Sequence, residues 1–152
     1  MIEVRGDNVF QGYWKMPEKT KEELRADGFF MTGDLGTMDA EGRVTIVGRQ
    51  KDLVISGGYN IYPKEIEDVL NDLPEIAENA VFGIPDPDFG ERVVAALVPV
   101  DAPVDEAAVR AHVADTLASF KHPKRYVMLD ALPRNTMGKV QKNQLRATYQ
   151  GI

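Results

Sequence analysis

Residues 52–73 read DLVISGGYNIYPKEIEDVLNDL, and the pattern of this stretch sets the fold class. Residues 52–56 form a β-branched run that stops at Gly57-Gly58. Two adjacent glycines end a strand because they bring backbone freedom and no side chain to pack. Pro63 stands where a helix can begin, since its ring presets φ and the N–H it lacks has no partner in a first turn anyway. From there Ile66, Val69, Leu70 and Leu73 recur at i, i+3, i+4 and i+7, the apolar stripe of an amphipathic helix.

Further along, apolar runs at 77–84 and 92–100 predict two strands, separated by the turn-rich PDPDFGE of residues 85–91. Asp105 is placed to cap a second helix with Val109, Val113, Leu117 and Phe120 along one side. A third strand is expected at 126–129 and a last helix at 141–149. This order predicts an α+β domain, a small mixed β-sheet flanked by helices. Residues 1–47 read differently. Short strands are expected at 2–4, 9–13, 29–31 and 44–47, with turns at Gly6-Asp7, Asp27-Gly28 and Glu41-Gly42, and a short helix over 17–26 with a proline near its start. Such a meander has too little apolar surface to stand alone. Residues 1–48 are therefore expected to be a β-rich remnant of a larger domain, and 49–152 a separate α+β domain.

Hydrophobic residues make up 43% of the 152, enough for an ordinary core, and there is no cysteine. Disulfides and thiolate metal sites are thereby excluded, and a reducing, cytoplasmic setting is the natural expectation. Apolar runs such as 93–100 are too short to span a bilayer, so no membrane association is expected. His112 and His122 show no metal-ligand spacing with Asp or Glu, so no protein metal site is expected either. The net charge of −6 hides an asymmetry: residues 51–120 are strongly acidic, whereas 121–152 are basic with Asp130 as their one acid. That distribution argues against nucleic-acid binding, which spreads positive charge over a face. It suits a small anionic ligand meeting the tail, and equally a solvated tail with no partner.

Three segments together carry a resemblance: FMTGDLG at 30–36, GRQKDLVISGGYNIYPKEIE at 48–67 and PRNTMGKVQK at 133–142. In this order they resemble the adenylate-forming superfamily of acyl-CoA synthetases, luciferases and peptide-synthetase adenylation domains. Within it, residues 5–20, 55–67 and 132–143 look most like malonyl-CoA synthetases. The resemblance implies a two-step ligase that uses ATP and CoA, with Mg accompanying ATP and no metal ligand from this chain. A carboxylate attacks the α-phosphate of ATP, and the CoA thiol then displaces AMP from the acyl-adenylate. The family's Gly/Ser/Thr-rich phosphate loop and its carboxylic-acid pocket lie in a large N-terminal domain that these residues do not include. The chain is accordingly expected to be a C-terminal fragment, inactive alone.

The resemblance also assigns roles. Lys139 falls on the family's catalytic lysine, and a compact ammonium on a long stem suits the charge that builds up when two anions meet. Without its context it would be an exposed tail lysine. Asp34 maps to the ribose-binding aspartate, its two oxygens suited to paired hydroxyls; the alternative is an Asp capping its own turn. Arg49 maps to a nucleotide-contacting arginine, with a junction salt bridge as the competing reading. Lys51 occupies the hinge position. Gly57 and Gly58 map to the loop lining the pantetheine tunnel, where a hairpin turn or bulge is the plainer reading. Lys121, His122, Lys124 and Arg125 can meet CoA phosphates or simply form a solvated helix end, and Tyr13 and Trp14 read as packing residues. Two further partners are open: a carrier-protein thiol in place of CoA, and a protein lysine acetyltransferase acting on Lys139.

Overall fold

Among the described residues, every buried hydrophobic side chain lies between Val54 and Leu145, and none of residues 1–51 is buried. The computed structural model describes residues 1–101 and 103–151, and it divides along the same line into two compact units, Met1–Lys51 and Asp52–Ile152.

In the first unit, β1 (Glu3–Val4) waits for α1 (Pro17–Glu23) to pass before pairing antiparallel with β2 (Phe30–Met31), while β3 (Asp34–Met38) pairs antiparallel with β4 (Val44–Arg49). Gly48 and Arg49 thus belong to this unit by their ladder, whereas the sequence reading starts the second domain at residue 49. The strand expected over 9–13 does not form. Phe10 instead sets its ring edge-on to Tyr13 at 4.8 Å and to Phe30 at 5.1 Å, and the Tyr13 N–H donates to Thr20 Oγ1 at 2.9 Å. The helix ends at Glu23 rather than 26, because Leu24 is extended and bridges to Phe30. Strand β3 was hidden in the sequence: TGDL reads as a turn, and only its pairing with β4 makes it a strand.

The second unit holds the sheet. Its elements are β5 (Val54–Ser56), β6 (Tyr59–Ile61), α2 (Pro63–Asn71), β7 (Ile76–Asp86), β8 (Gly90–Pro99), α3 (Glu106–Thr116), β9 (Arg125–Met128) and α4 (Lys142–Tyr149). The order is β6-β5-β8-β7, with β9 beside β8. β8 and β9 run parallel and the other pairs antiparallel, so the sheet is mixed. Val93, Ala95 and Leu97 of β8 pack with Ile66 and Leu70 of α2 and with Val109 and Val113 of α3. The alternate residues Val94, Ala96 and Val98 pack on the other face with Leu145 of α4. A strand covered on both faces reads as a continuous apolar run, which is why VVAALV does not alternate.

Local chemistry sets the ends. Asp105 Oδ1 accepts from the Ala107 N–H at 2.9 Å and caps α3. That helix stops at Thr116, because Leu117 is extended; Phe120 therefore leaves the helical stripe and stacks on Tyr59 at 4.5 Å. β6 is a second strand that the sequence reading missed. Gly57 (φ +56°) and Gly58 (φ +82°) join β5 to β6 as a two-residue turn with both central residues at positive φ, the form whose twist matches a hairpin.

A unit with no buried residue opens at low cost. In hydrogen exchange on the 152-residue chain, amides of residues 1–47 should exchange far faster than those of β8. Equal protection in a dilute monomer would contradict this account.

Candidate functional site

The β3–β4 register places Asp34 directly opposite Arg49. Arg49 Nε donates to Asp34 Oδ1 at 2.9 Å and Arg49 Nη2 to the Thr32 carbonyl at 3.0 Å. Asp34 does not cap its own turn; Thr32 does, its Oγ1 accepting the Asp34 N–H at 3.0 Å. Oδ2 of Asp34 meets no donor among the described residues, so one oxygen is held by the guanidinium and the other is open to a ligand hydroxyl. Both readings of Arg49 are thus compatible in geometry, since the ion pair orients the fork.

These residues line an open cleft of about 1020 Å³ together with Gly33, Tyr13, Lys19, Glu23 and Lys51. Tyr13, read from sequence as a packing residue, packs its ring on Phe10 but also turns its hydroxyl to Glu23 Oε2 at 2.6 Å. Lys19 donates to Glu23 Oε1 at 2.5 Å. The Lys19 hydrogen bond, joined by that of Tyr13, holds the Glu23 carboxyl below the usual range; the bond to Glu23 pushes the Tyr13 phenol up. Sequence reasoning missed this trio, although the i, i+4 spacing of Lys19 and Glu23 carries its signal.

Lys51 is exposed between two fastened neighbours. The Gln50 N–H donates to the Gly33 carbonyl at 2.9 Å within the first unit, and Asp52 pairs with Arg146 of α4 at 3.6 Å within the second. In the second unit Gly57 and Gly58 form the hairpin tip. A Cβ on Gly58 would meet nothing within 4 Å, while one on Gly57 would lie 3.2 Å from the Phe89 ring. Of the basic group, Lys121 is paired with Glu65 at 2.5 Å and the His122 ring with the Leu117 carbonyl at 2.7 Å, whereas Lys124 and Arg125 are exposed.

Lys139 is exposed at the end of a closed turn and has no ion-pair partner among the described residues. The turn is densely bonded. Asn135 Oδ1 accepts from the N–H groups of Met137 and Lys139 at 3.0 and 2.9 Å, and the Asn135 N–H donates to the Lys139 carbonyl at 2.9 Å. Gly138, at φ +78°, makes the reversal possible. Asp34 and Arg49 are thus brought together in one unit, and Lys139 shares the other unit with Gly57 and Gly58. Among the described residues no group of three His, Asp or Glu side chains gathers to hold a metal.

Residues 65–139 match the model of the AMP-binding enzyme C-terminal domain. A sulfoacetate–CoA ligase from Cupriavidus necator is 43% identical over 95% of this chain and 28% of its own length. A feruloyl-CoA synthase from Amycolatopsis sp is 43% identical over 97% of this chain and 30% of its own. Among solved structures, ATP-bound MatB from Rhodopseudomonas palustris is 58% identical with a TM-score of 0.87, over 97% of this chain and 30% of that one. The chain spans less than a third of the length of these relatives. It belongs to the adenylate-forming superfamily of AMP-binding enzymes, whose C-terminal domain it carries.

Proposed function

We propose that the full-length protein containing this chain is an AMP-forming acid–thiol ligase, converting a carboxylic acid, ATP and CoA to acyl-CoA, AMP and diphosphate. The observation that carries this reading is Lys139: an exposed ammonium without an ion-pair partner among the described residues, on a braced turn, in a domain matched to AMP-binding enzymes. The chemistry needs such a group. A carboxylate oxygen bonds to the α-phosphorus as diphosphate leaves, and negative charge gathers where a positioned cation can meet it. In the second step the thiol sulfur bonds to the acyl carbon, AMP leaves and the thiol gives up its proton.

The remaining residues take supporting roles. The open Asp34 oxygen accepts from ribose hydroxyls, and the Arg49 fork, aimed by Asp34 and Thr32, donates to nucleotide oxygens. Mg enters with ATP, and the described residues gather no cluster of acids to receive it. The empty space beside Gly58 suits a thin pantetheine arm passing a bare backbone. Lys51 is the pivot, lying between a residue fastened in the first unit and one fastened in the second. For the acid we propose malonate or a similarly small dicarboxylate. The motifs at 5–20, 55–67 and 132–143 and the 58% identity to MatB support it, as does the match to a ligase of another small dianionic acid, sulfoacetate. The exposure of Lys139 also makes it accessible to a protein lysine acetyltransferase, and its acetylation would remove the charge the first step needs.

Two half-reaction assays on the full-length enzyme test these roles. Lys139→Ala should slow acyl-adenylate formation by about 10²–10³ while leaving conversion of supplied acyl-adenylate to acyl-CoA nearly intact. Equal loss in both steps would make Lys139 structural. Gly58→Leu should show the reverse profile, and Gly58→Asn, a residue that tolerates positive φ, separates turn strain from blockage. If Leu and Asn impair both steps alike, the tunnel role fails. A carrier protein accepted in place of CoA would change the second substrate.

Lys51→Pro fixes φ at the pivot and removes an N–H. It should slow one half-reaction far more than the other, as measured by single-turnover assays of each step. Equal slowing would count against a hinge there.

A further inference from the structure

The turn that carries Lys139 is not held by its own backbone alone. Arg134 spans it. Nη1 of Arg134 donates to the Gly138 carbonyl at 2.6 Å, and Nη2 donates to Glu78 Oε1 on β7 at 2.7 Å. The Gly138 carbonyl and the Lys139 N–H are the two ends of one peptide unit, and that unit is planar. Its oxygen is gripped by Arg134 and its N–H by Asn135 Oδ1, so the plane from which the Lys139 side chain departs is fixed at both ends. The loop is closed behind it by the Gln141 N–H on the Pro133 carbonyl at 2.7 Å and by a bridge between Arg134 and Val140.

A second anchor lies on the downstream side. Lys142, the first residue of α4, pairs with Glu67 Oε1 at 2.6 Å, with both side chains less than one-fifth exposed. The same oxygen accepts the Val81 N–H of β7 at 2.8 Å. Upstream and downstream, the loop is therefore tied to β7 at residues 78 and 81. Lys121, Lys124 and Arg125 carry no such arrangement into the Lys139 turn.

We propose that Arg134 is a positioning residue for Lys139: with Glu78 it aims the catalytic ammonium by clamping the Gly138–Lys139 peptide, and the Glu67–Lys142 pair seats the loop's other end. The proposal rests on the reading of Lys139 as the group that serves acyl-adenylate formation. A fork is required, because one side chain must donate in two directions at once, and a lysine does not reproduce that geometry. Both partners of the Arg134–Glu78 pair are about 40% exposed, so the pair adds little to global stability. Its value lies in aim, where displacement by about 1 Å can cost on the order of 10²-fold in rate.

The test has two readouts. In the 152-residue chain, Arg134→Ala should raise hydrogen exchange at the Gly138 and Lys139 amides by at least about tenfold while β8 amides are unchanged; unchanged exchange in the turn would overturn the clamp. In the full-length enzyme, Arg134→Ala and Arg134→Lys should slow acyl-adenylate formation about 10- to 100-fold, with the KM for ATP and the thioester-forming step unmoved. Glu78→Gln, which keeps an acceptor, should be close to wild type, and Lys142→Met should act like a milder Arg134→Ala. The deciding comparison is the double variant: Arg134→Ala added to Lys139→Ala should cost nothing further, because it acts through a side chain already gone. An additive loss would mean that Arg134 touches substrate itself and would overturn the positioning role. Should Lys139→Ala leave adenylation intact while the turn still loosens in Arg134→Ala, the reading of Lys139 fails and the clamp stands as structure.

Discussion

Strand β8 must be covered on both faces, and most of the second unit follows from that requirement. Val93 to Val98 present apolar side chains up and down the sheet, and each such side chain contributes about 1.5–3 kcal/mol when removed from water. Helices α2 and α3 cover one face and α4 the other. The chain consequently has to bring α4 to the face opposite α2, and the segment that does so is the loop carrying Lys139. Its ties to β7, through Glu78 and through Glu67 with Val81, fasten that loop to the strand that pairs along the length of β8. In the role proposed for it, the Lys139 side chain draws its aim from the sheet to which its loop is tied.

The first unit works by a different logic. None of its residues is buried, and its order comes from short ladders, an aromatic cluster of Phe10, Tyr13 and Phe30, and paired charges. Two carboxylates line its cleft, and each has a cation: Asp34 with Arg49, Glu23 with Lys19. Exposed ion pairs of this kind stabilise by at most about 1 kcal/mol each, so they orient side chains more than they hold the unit together. What the pairing achieves at Asp34 is selective occupation, with one oxygen committed and one open.

The sequence was most legible where periodicity and capping chemistry agree. Pro63 with its apolar stripe, Asp105 as a cap and the unbroken VVAALV run each carry their own physical reason, and α2, α3 and β8 form there. It was least legible where pairing decides. DLGTM has no alternation, and β3 exists because β4 lies beside it; β6 is three residues whose strand character comes from a glycine turn. Phe120 shows how far periodicity can mislead, since it keeps the helical spacing after the helix has ended. The candidate site divides the same way. Lys139, Asp34, Arg49 and the glycines are candidates that motifs put forward, whereas the Arg134–Glu78 and Tyr13–Glu23 contacts join different elements and leave no mark in any one motif.

In the proposed function, a positive charge held at the reach of Lys139 by its braced turn serves acyl-adenylate formation. This chain contains no cysteine, so Lys139→Cys introduces its one thiol, and alkylation can then rebuild a side chain of lysine length with or without charge. The measurement is the single-turnover rate of acyl-adenylate formation by the full-length Lys139→Cys enzyme after aminoethylation or carboxamidomethylation, against wild type treated identically. The aminoethyl side chain should restore most of the lost rate, and the neutral amide should not. Equal recovery with both, or none with the aminoethyl group in an enzyme whose thioester-forming step is intact, would contradict it.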